Sequence, residues 1–447
     1  MPILPKSPAG PARSPRRPRA AGTAGRTLSP VALAALPDED LLEQVQRQTF
    51  RYFWEGGHPA SGLTLDRCGT RDAADDKVAI GGTGFGLMCI IVAVARGWIT
   101  REAAVTRIGK MLDLLTRAPC YHGAFAHFLN GSTGATIPFY RKDDAADLVE
   151  TSFLCMGLLC ARQYFDADTP AEAQLRGRAN GLWEDVEWNW FTQDQRKLLY
   201  WHWSPNNGWA VDLEIRGWNE CLISYVLAAG APRYGVEPLV YHRGYAGGRE
   251  FLNGKSYYNI KLPLGMPFGG PLFFSQYSFC GLDPHGLKDR YADYWQQNLA
   301  HTRINHAHCA ANPNGHLGYS AECWGLTASD DPDGYAAHEP ANDNGTISPT
   351  AALSSVPYTP HESLAAIRHF LRRYGDKVWG RYGFVDAFCE RRGWYAQTFI
   401  AIDQGPIVIM MENHRSGLLW KLFMSVPEVR TGLTRLGFSS PHLRGRT

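Results

Sequence analysis

A chain of 447 residues with 45 basic and 43 acidic side chains and a formal net charge of +2 is too long for one small core. Its charges are too evenly balanced for nucleic acid or an anionic membrane to be the main partner. No run approaches the roughly 18 apolar residues of a membrane span. Ten cysteines, none in a CxxC pair, fall largely in apolar runs such as TSFLCMGLLC, which holds Cys155 and Cys160. They read as small buried residues in a reducing compartment.

Residues 1–37 read as a disordered tail. PKSPAGPARSPRRPRAAGTAGR is Arg, Pro, Ala and Gly with almost no large apolar residue, so it cannot bury enough surface to offset the cost of ordering. VALAALP is too short for the apolar part of a secretory signal and stops at Pro37, ahead of Asp38, Glu39 and Asp40. Arg16-Arg17 lacks the apolar stretch that follows a twin-arginine pair. The expected location is cytoplasmic, or periplasmic if an upstream or atypical signal exists.

Helical patterns then recur. DEDLLEQVQRQTFRYFWE carries apolar residues at 41, 42, 45, 50 and 53 behind three acids in its first turn. FGLMCIIVAVARG is an apolar helix ending at Gly97, and TREAAVTRIGKMLDLLTR opens on Thr100 as N-cap. GAFAHFLNGSTGATIP reads as a hairpin turning at Asn130-Gly131. DAADLVETSFLCMGLLCARQYF is a further helix. TPAEAQLRGRANGLWEDVEWNWF opens with Thr169 as cap, Pro170 at the first helical position and Glu172 completing a capping box. NECLISYVLAAG, GLKDRYADYWQQNLAHTRINHA, HESLAAIRHFLRRYG and GPIVIMMENHRSGLLWKLFM complete the series. Long connectors rich in Gly, Pro, Asn and Asp cover 232–285 and 312–360, and long connectors in a compact protein are usually functional. With no linker after residue 37, one all-α domain over 38–447 is expected. A helical domain of that size closes most naturally as a ring of helix pairs around a central pocket, with its connectors on one face.

Three motifs lack the context for the chemistry they suggest. IGGTGFG (Ile80 to Gly86) fits neither GxGxxG nor a P-loop, and no clear strand precedes it; close helix packing near a pocket accounts for it better. His301, His306 and His308 are spaced around a helix rather than along one face, so they do not form a zinc pattern. No GxSxG elbow is present.

The acids are more informative. Asp147 and Glu150 stand on one face at the mouth of an apolar helix, Glu220 repeats the arrangement in RGWNECLISYVLAAG, and Asp403 sits in FIAIDQGPIVIMMEN before Gly405-Pro406. Each has an ordinary reading, as a helix cap or a dipole partner. Together they place carboxylates at the ends of apolar helices in a chain that is 12% aromatic, with 14 tryptophans. Trp201, Trp203, Trp209 and Trp218 cluster around Glu220 in sequence. Flat rings stack on sugar C–H faces, and paired carboxyls are the machinery of glycoside hydrolysis. An apolar pocket would raise the pKa of Glu220 as a general acid requires.

The chain resembles the bacterial glucoamylase-like domain shared by endo-β-1,2-glucanases and cyclic β-1,2-glucan synthases. The resemblance runs from about Leu41 to Pro427 on TFRYFWEGGHPASGLTLDR, IGGTGFGL, DLVETSFL, GWNECLISYVLA, CWGLTASDDPDGY, NGTISPTAALSSVPY, WGRYGFVDAF and IDQGPIVIMMENHRSGLLW. It implies an (α/α)6 toroid and an inverting, metal-free, cofactor-free hydrolase of β-1,2-glucan or of oligosaccharides such as sophorose. Glu220 resembles the general acid and Asp403 the general base. Asp147, Glu150, Gln404, Trp324 and Asp331 fall in the same motifs as sugar-binding candidates. A transglycosylase or phosphorolytic relative, and a non-catalytic carbohydrate-binding protein, remain alternatives. Glu220 and Asp403 are expected to open into one central cavity.

Overall fold

The computed structural model describes residues 28–69 and 76–443. Most of the expected tail, residues 1–27, lies outside the described residues. Its end requires a correction. Pro30–Ala34 forms a short helix, α1, capped by Ser29, whose hydroxyl accepts the Ala32 N–H at 3.3 Å. Leu33 and Ala34 are buried. Pro30 sits so close to Gly375 that a Cβ on that glycine would come within 2.3 Å of it. Arg368 donates to the Ala34 carbonyl at 3.0 Å. VALAALP is too short for a signal, but it is long enough for one turn of helix that covers apolar surface. Among the described residues the folded unit therefore already includes Ser29–Ala34, ahead of Asp38.

Helices α2 (Asp38–Trp54), α3 (Ile80–Ala95), α4 (Arg101–Leu115), α5 (Leu148–Tyr164), α6 (Pro170–Glu184), α7 (Leu222–Gly230), α8 (Pro238–Arg243), α9 (Tyr294–Ala311), α10 (Pro349–Ser354), α11 (Pro360–Val378), α12 (Ala401–Ser416), α13 (Leu418–Ser425) and α14 (Pro427–Arg435) follow. They divide into two kinds. α3, α5, α7, α10 and α12 are buried almost all round. α11 instead buries a single stripe, Ser363, Ala366, Ile367, Phe370, Leu371, Tyr374 and Val378. That is the three-and-four spacing of a helix with one wet face.

The buried segments touch in sequence order. α3 packs on α5 and α5 on α7. The 3₁₀ turns of Leu272–Ser275 and Ser278–Cys280 come next: Ser278 Oγ accepts the Ile223 N–H of α7 at 3.0 Å. Gln276 ties the same stretch to α10 through the Ala351 carbonyl at 3.0 Å. α10 packs on α12, and α12 packs back on α3.

Glycine explains how close α3 and α5 lie. A Cβ on Gly84 would stand 2.1 Å from the Phe153 carbonyl oxygen, and one on Gly157 would stand 2.2 Å from that of Gly84. IGGTGFG is therefore a helix start whose missing side chains let two backbones meet, as the packing reading expected.

Some expectations on the elements need correction. α8 and α10 fall inside segments read as connectors; each is only six residues, too short for a periodic pattern. The last long pattern breaks at Gly417, φ +68°, into α12 and α13. α12 starts at Ala401 and holds Pro406 inside it, so Asp403 is a first-turn residue rather than a residue before the helix. Strands are short and lie in the connectors. Phe128–Asn130 pairs with Thr136–Ile137 as the expected hairpin, and Lys77–Ala79 adds a third strand. No described helix is long and apolar enough to cross a membrane. The ten cysteines are free thiols, and nine of them are buried.

Candidate active site

The N-terminal ends of four buried helices meet at one cavity of about 330 Å³. Ala79 caps α3, Val149 and Glu150 lie in the first turn of α5, Glu220 precedes α7, and Ile400 and Ile402 flank the start of α12; all line the cavity. Helix N-termini present unpaired N–H groups and a positive dipole end, which suits carboxylates and electron-rich ligands. Gly81, in the first turn of α3, donates its N–H to Glu150 Oε2 at 2.6 Å. Trp201, Phe273 and Tyr277 supply aromatic wall, and the half-open rim carries Phe139 and Tyr335. Tyr335 is brought there by the hairpin Ala328–Asp331 with Gly334–Ala337.

Glu220 is buried but reaches the cavity. Burial pushes its carboxyl up to about 7, and Glu150 and Asp147 add to the effect. Glu150 is likewise pushed up to about 7 by burial, against the pull of His127. Asp147 behaves oppositely. Its Oδ1 caps α5, accepting from Val149 at 3.0 Å and Glu150 at 2.9 Å, which is the ordinary cap reading. Its Oδ2 faces His127 Nδ1 at 3.0 Å and His202 Nε2 at 3.6 Å. Burial opposes the Asp147 charge, but the two histidines outweigh it and hold the carboxyl well below its usual range. Burial disfavours both imidazolium ions too. Even so, Glu150 and Asp147 lift His127 to about 9, and Asp143 and Asp147 do the same for His202.

The result is a row of alternating carboxyls and imidazoles: Asp143, His202, Asp147, His127, Glu150. The ligand atoms of Asp143, Asp147 and His202 come within 4.8 Å of one another. The protonated imidazole of His202 already bridges both carboxylates, at 2.9 Å to Asp143, and neutralises charge that a cation would need.

Asp403 lies just behind the wall. It is buried, follows the lining residue Ile402, and accepts the Tyr277 hydroxyl at Oδ1, 2.8 Å away. Its side chain does not cap α12, whose N-cap is Ile400. Burial pushes Asp403 up to about 7, opposed by hydrogen bonds from Tyr277 and Asp386. Asp386 is fully buried, and burial with the nearby charges of Asp403 and Asp330 keeps it protonated well above the carboxyl range. Its Oδ2 accepts the Asp330 N–H at 2.7 Å. Asp330 in turn pairs with Arg67, which lines the cavity, at 3.0 Å. Asp386 and Asp403 are thus two interacting buried acids, and Asp386 lowers the Asp403 carboxyl relative to burial alone.

The cavity has Glu220, Glu150 and Trp201 on its wall; Asp147 and Asp403 do not line it. Asp403 therefore does not open into the cavity beside Glu220 as expected, but is buried one residue past the lining Ile402, with its Oδ1 on the hydroxyl of the lining Tyr277. The other expected residues stand elsewhere. Trp218 is a core residue against Phe279 and Tyr294, because the turn before α7 points it inward. Trp324 is fully buried and donates to the Glu362 carbonyl at 3.3 Å. Gln404 is also fully buried and donates to the Phe384 carbonyl at 3.0 Å, since it sits one helical step from Asp403. Asp331 holds its own loop, accepting from Asp333 and Asn344. Trp203 and Trp209 join an aromatic group around Trp190 instead of the cavity. The three histidines of α9 go to separate partners: His301 to Ser275 and Gly270, His306 to Ala321, His308 to Asp343 and Tyr258.

Sequence reading missed His127, Tyr277, Tyr335, Arg67 and Asp386. Asp386 carried a usable signal, an acid between apolar residues in GFVDAF, although it does not open an apolar helix as Glu220 does. Tyr277 and Tyr335 lie in aperiodic connectors, which carried none.

A family model described as "Putative glucoamylase" matches residues 212–427. A Bacteroides uniformis protein solved under the same description is 55% identical with a TM-score of 0.89, covering 92% of this chain and 99% of that one. The endo-β-1,2-glucanase of Chitinophaga pinensis, solved with sophorotriose and glucose, is 48% identical with a TM-score of 0.89, covering 92% and 100%. An exo β-1,2-glucooligosaccharide sophorohydrolase (non-reducing end) of Parabacteroides distasonis is 44% identical over 422 residues. That match covers 90% of this chain, but the chain spans only 58% of the length of that curated relative.

Proposed function

Because the chain belongs to this glucoamylase-like family, we propose that it is a glycoside hydrolase acting on β-1,2-linked glucose, as polymer or as short oligosaccharide. The observation that carries the reading is the pair of buried carboxyls, Glu220 and Asp403, each held at about 7 on or behind one aromatic-walled cavity. The relatives named for β-1,2-glucans support the linkage. The cyclic order of buried helices, α3, α5, α7, 272–280, α10 and α12, supports an (α/α)6 toroid with the cavity at one end of its axis.

In the proposed mechanism Glu220 is the general acid. A carboxyl that keeps its proton near neutrality can give it to the leaving glycosidic oxygen. Asp403 is the general base that takes a proton from the attacking water. The Tyr277 hydroxyl and protonated Asp386 hold its carboxylate in place and lower its proton affinity relative to burial alone. An inverting reaction uses two such carboxyls on opposite sides of the sugar, with room for one water between base and carbon. Trp201 stacks on a sugar face. Glu150 accepts sugar hydroxyls, with its charge balanced by His127, while Asp147 fixes His127 and the start of α5.

Incubation with β-1,2-glucan and with sophorose, with and without phosphate, tests this. Free oligosaccharides or glucose independent of phosphate are expected. Sugar phosphates, longer transfer products or no product would reject hydrolysis.

A further inference from the structure

A second aromatic depression lies apart from the cavity. Trp190 is 39% exposed and, with Trp209, borders a hollow of about 290 Å³ rimmed by Glu187, Asn189, Asp194 and Gln195. The Trp190 indole is held rigidly. It stacks on His122 with ring centroids 3.8 Å apart and planes 14° apart, and Trp203 meets it edge-on at 5.7 Å. His122 is itself fixed by Glu187 at 2.8 Å. Trp209 lies 6.4 Å from Trp190 with planes 31° apart.

An exposed tryptophan braced in this way, with the half-buried Trp209 beside it, presents a flat apolar face whose orientation costs little further to fix. The rim offers both kinds of polar partner, carboxylates that accept and amides that donate or accept. An apolar plane ringed by short polar groups matches a pyranose, with its apolar C–H face and equatorial hydroxyls. The depression also joins the active site through one segment. In 201–204, Trp201 and Trp203 are half-buried while His202 and Ser204 are buried, so the two tryptophans share the open side of an extended chain. Trp201 lines the cavity, and Trp203 braces Trp190.

We propose that Trp190 and Trp209 form a second carbohydrate-binding site, which holds a glucosyl unit of a long glucan outside the cleavage cavity. The choice of glucan rests on the functional reading above; the site itself does not depend on turnover.

Affinity electrophoresis through gels containing long β-1,2-glucan tests it, using Glu220→Gln protein so that the matrix stays intact. Trp190→Ala in that background is expected to weaken retention about tenfold, as loss of one buried aromatic face implies. Asn189→Ala, an exposed rim change that leaves the aromatic group in place, should weaken it less but measurably. In the active protein, Trp190→Ala should raise KM for long glucan and leave kcat and KM on sophorotriose unchanged. No retention of the parent protein, or equal retention of parent and both variants, overturns the second site. Failure of the active protein to cleave sophorotriose instead overturns the linkage assigned to the cavity, and the gel result still decides the site.

Discussion

Glu220→Gln should make the protein more stable at alkaline pH while removing its activity. In the fold the Glu220 carboxyl is held at about 7 against an ordinary 4.5, chiefly by burial. A carboxyl whose folded pKa is raised contributes its full stability below the unfolded value and loses it as pH rises through the folded value. Near pH 9 the wild-type fold therefore carries a buried carboxylate that costs about 3 kcal/mol, from 1.36 kcal/mol per pH unit between the two values. Glutamine keeps the shape and never ionises. With about 2.1 cal/mol/K of unfolding entropy per residue, that difference corresponds to a Tm rise of about 3 °C near pH 9. Below about pH 4.5 both proteins carry a neutral group, and the difference should vanish. Turnover should fall by about 10² to 10⁴, the usual contribution of a general acid. Paired melting curves at the two pH values and initial rates on β-1,2-glucan measure both effects. A Tm that falls or stays level at alkaline pH, or a variant with more than half of wild-type activity, would refute the account of Glu220 as a buried acid kept protonated by desolvation.

The wild type should show a bell-shaped kcat/KM profile centred near pH 7, because Glu220 must be protonated and Asp403 ionised and both are held at about 7. Asp386→Ala removes a hydrogen bond that lowers the Asp403 pKa, so the acidic limb should move to higher pH, whereas Asp386→Asn, which keeps a donor, should leave it near the wild-type position; an unmoved limb in both would separate Asp386 from the base. Gly84→Ala would put a Cβ 2.1 Å from the Phe153 carbonyl oxygen, so it should destabilise by about 1–3 kcal/mol or more in denaturant titration. A chain starting after Leu36 should melt lower than one starting after Arg26, since only the former loses the burial of Leu33 and Ala34 on α11; equal melting temperatures would make α1 an idle contact.

The parts legible in the sequence were those encoded locally. Buried helices such as α5 and α7 announce themselves as unbroken apolar runs, and α11 by its periodic stripe. Glu220 and Asp147 stood out because an acid at the start of such a run needs a reason. The rest depends on contacts distant in sequence. Trp201 and Trp218 lie in one aromatic-rich stretch, yet one faces the cavity and the other packs on Phe279 and Tyr294. Their neighbours could not indicate which. Asp403 was legible as a buried acid but was misplaced before α12, because Gly405-Pro406 reads as a helix start. Pro406 lies past the first turn of α12, so the helix gives up there the bond an N–H would make to the Ile402 carbonyl. Tyr277 and Asp386 reach Asp403 from positions 126 and 17 residues away in sequence, spacings no local pattern reports.

The anomeric form of the first product tests the central claim most directly. Proton NMR during the first minutes of β-1,2-glucan cleavage, before mutarotation mixes the anomers, should show the new reducing end as the α-anomer, as water attack assisted by Asp403 opposite Glu220 requires. A β-anomer as the first product would mean retention through a covalent intermediate, and would contradict the assignment of Asp403 as a base acting on water.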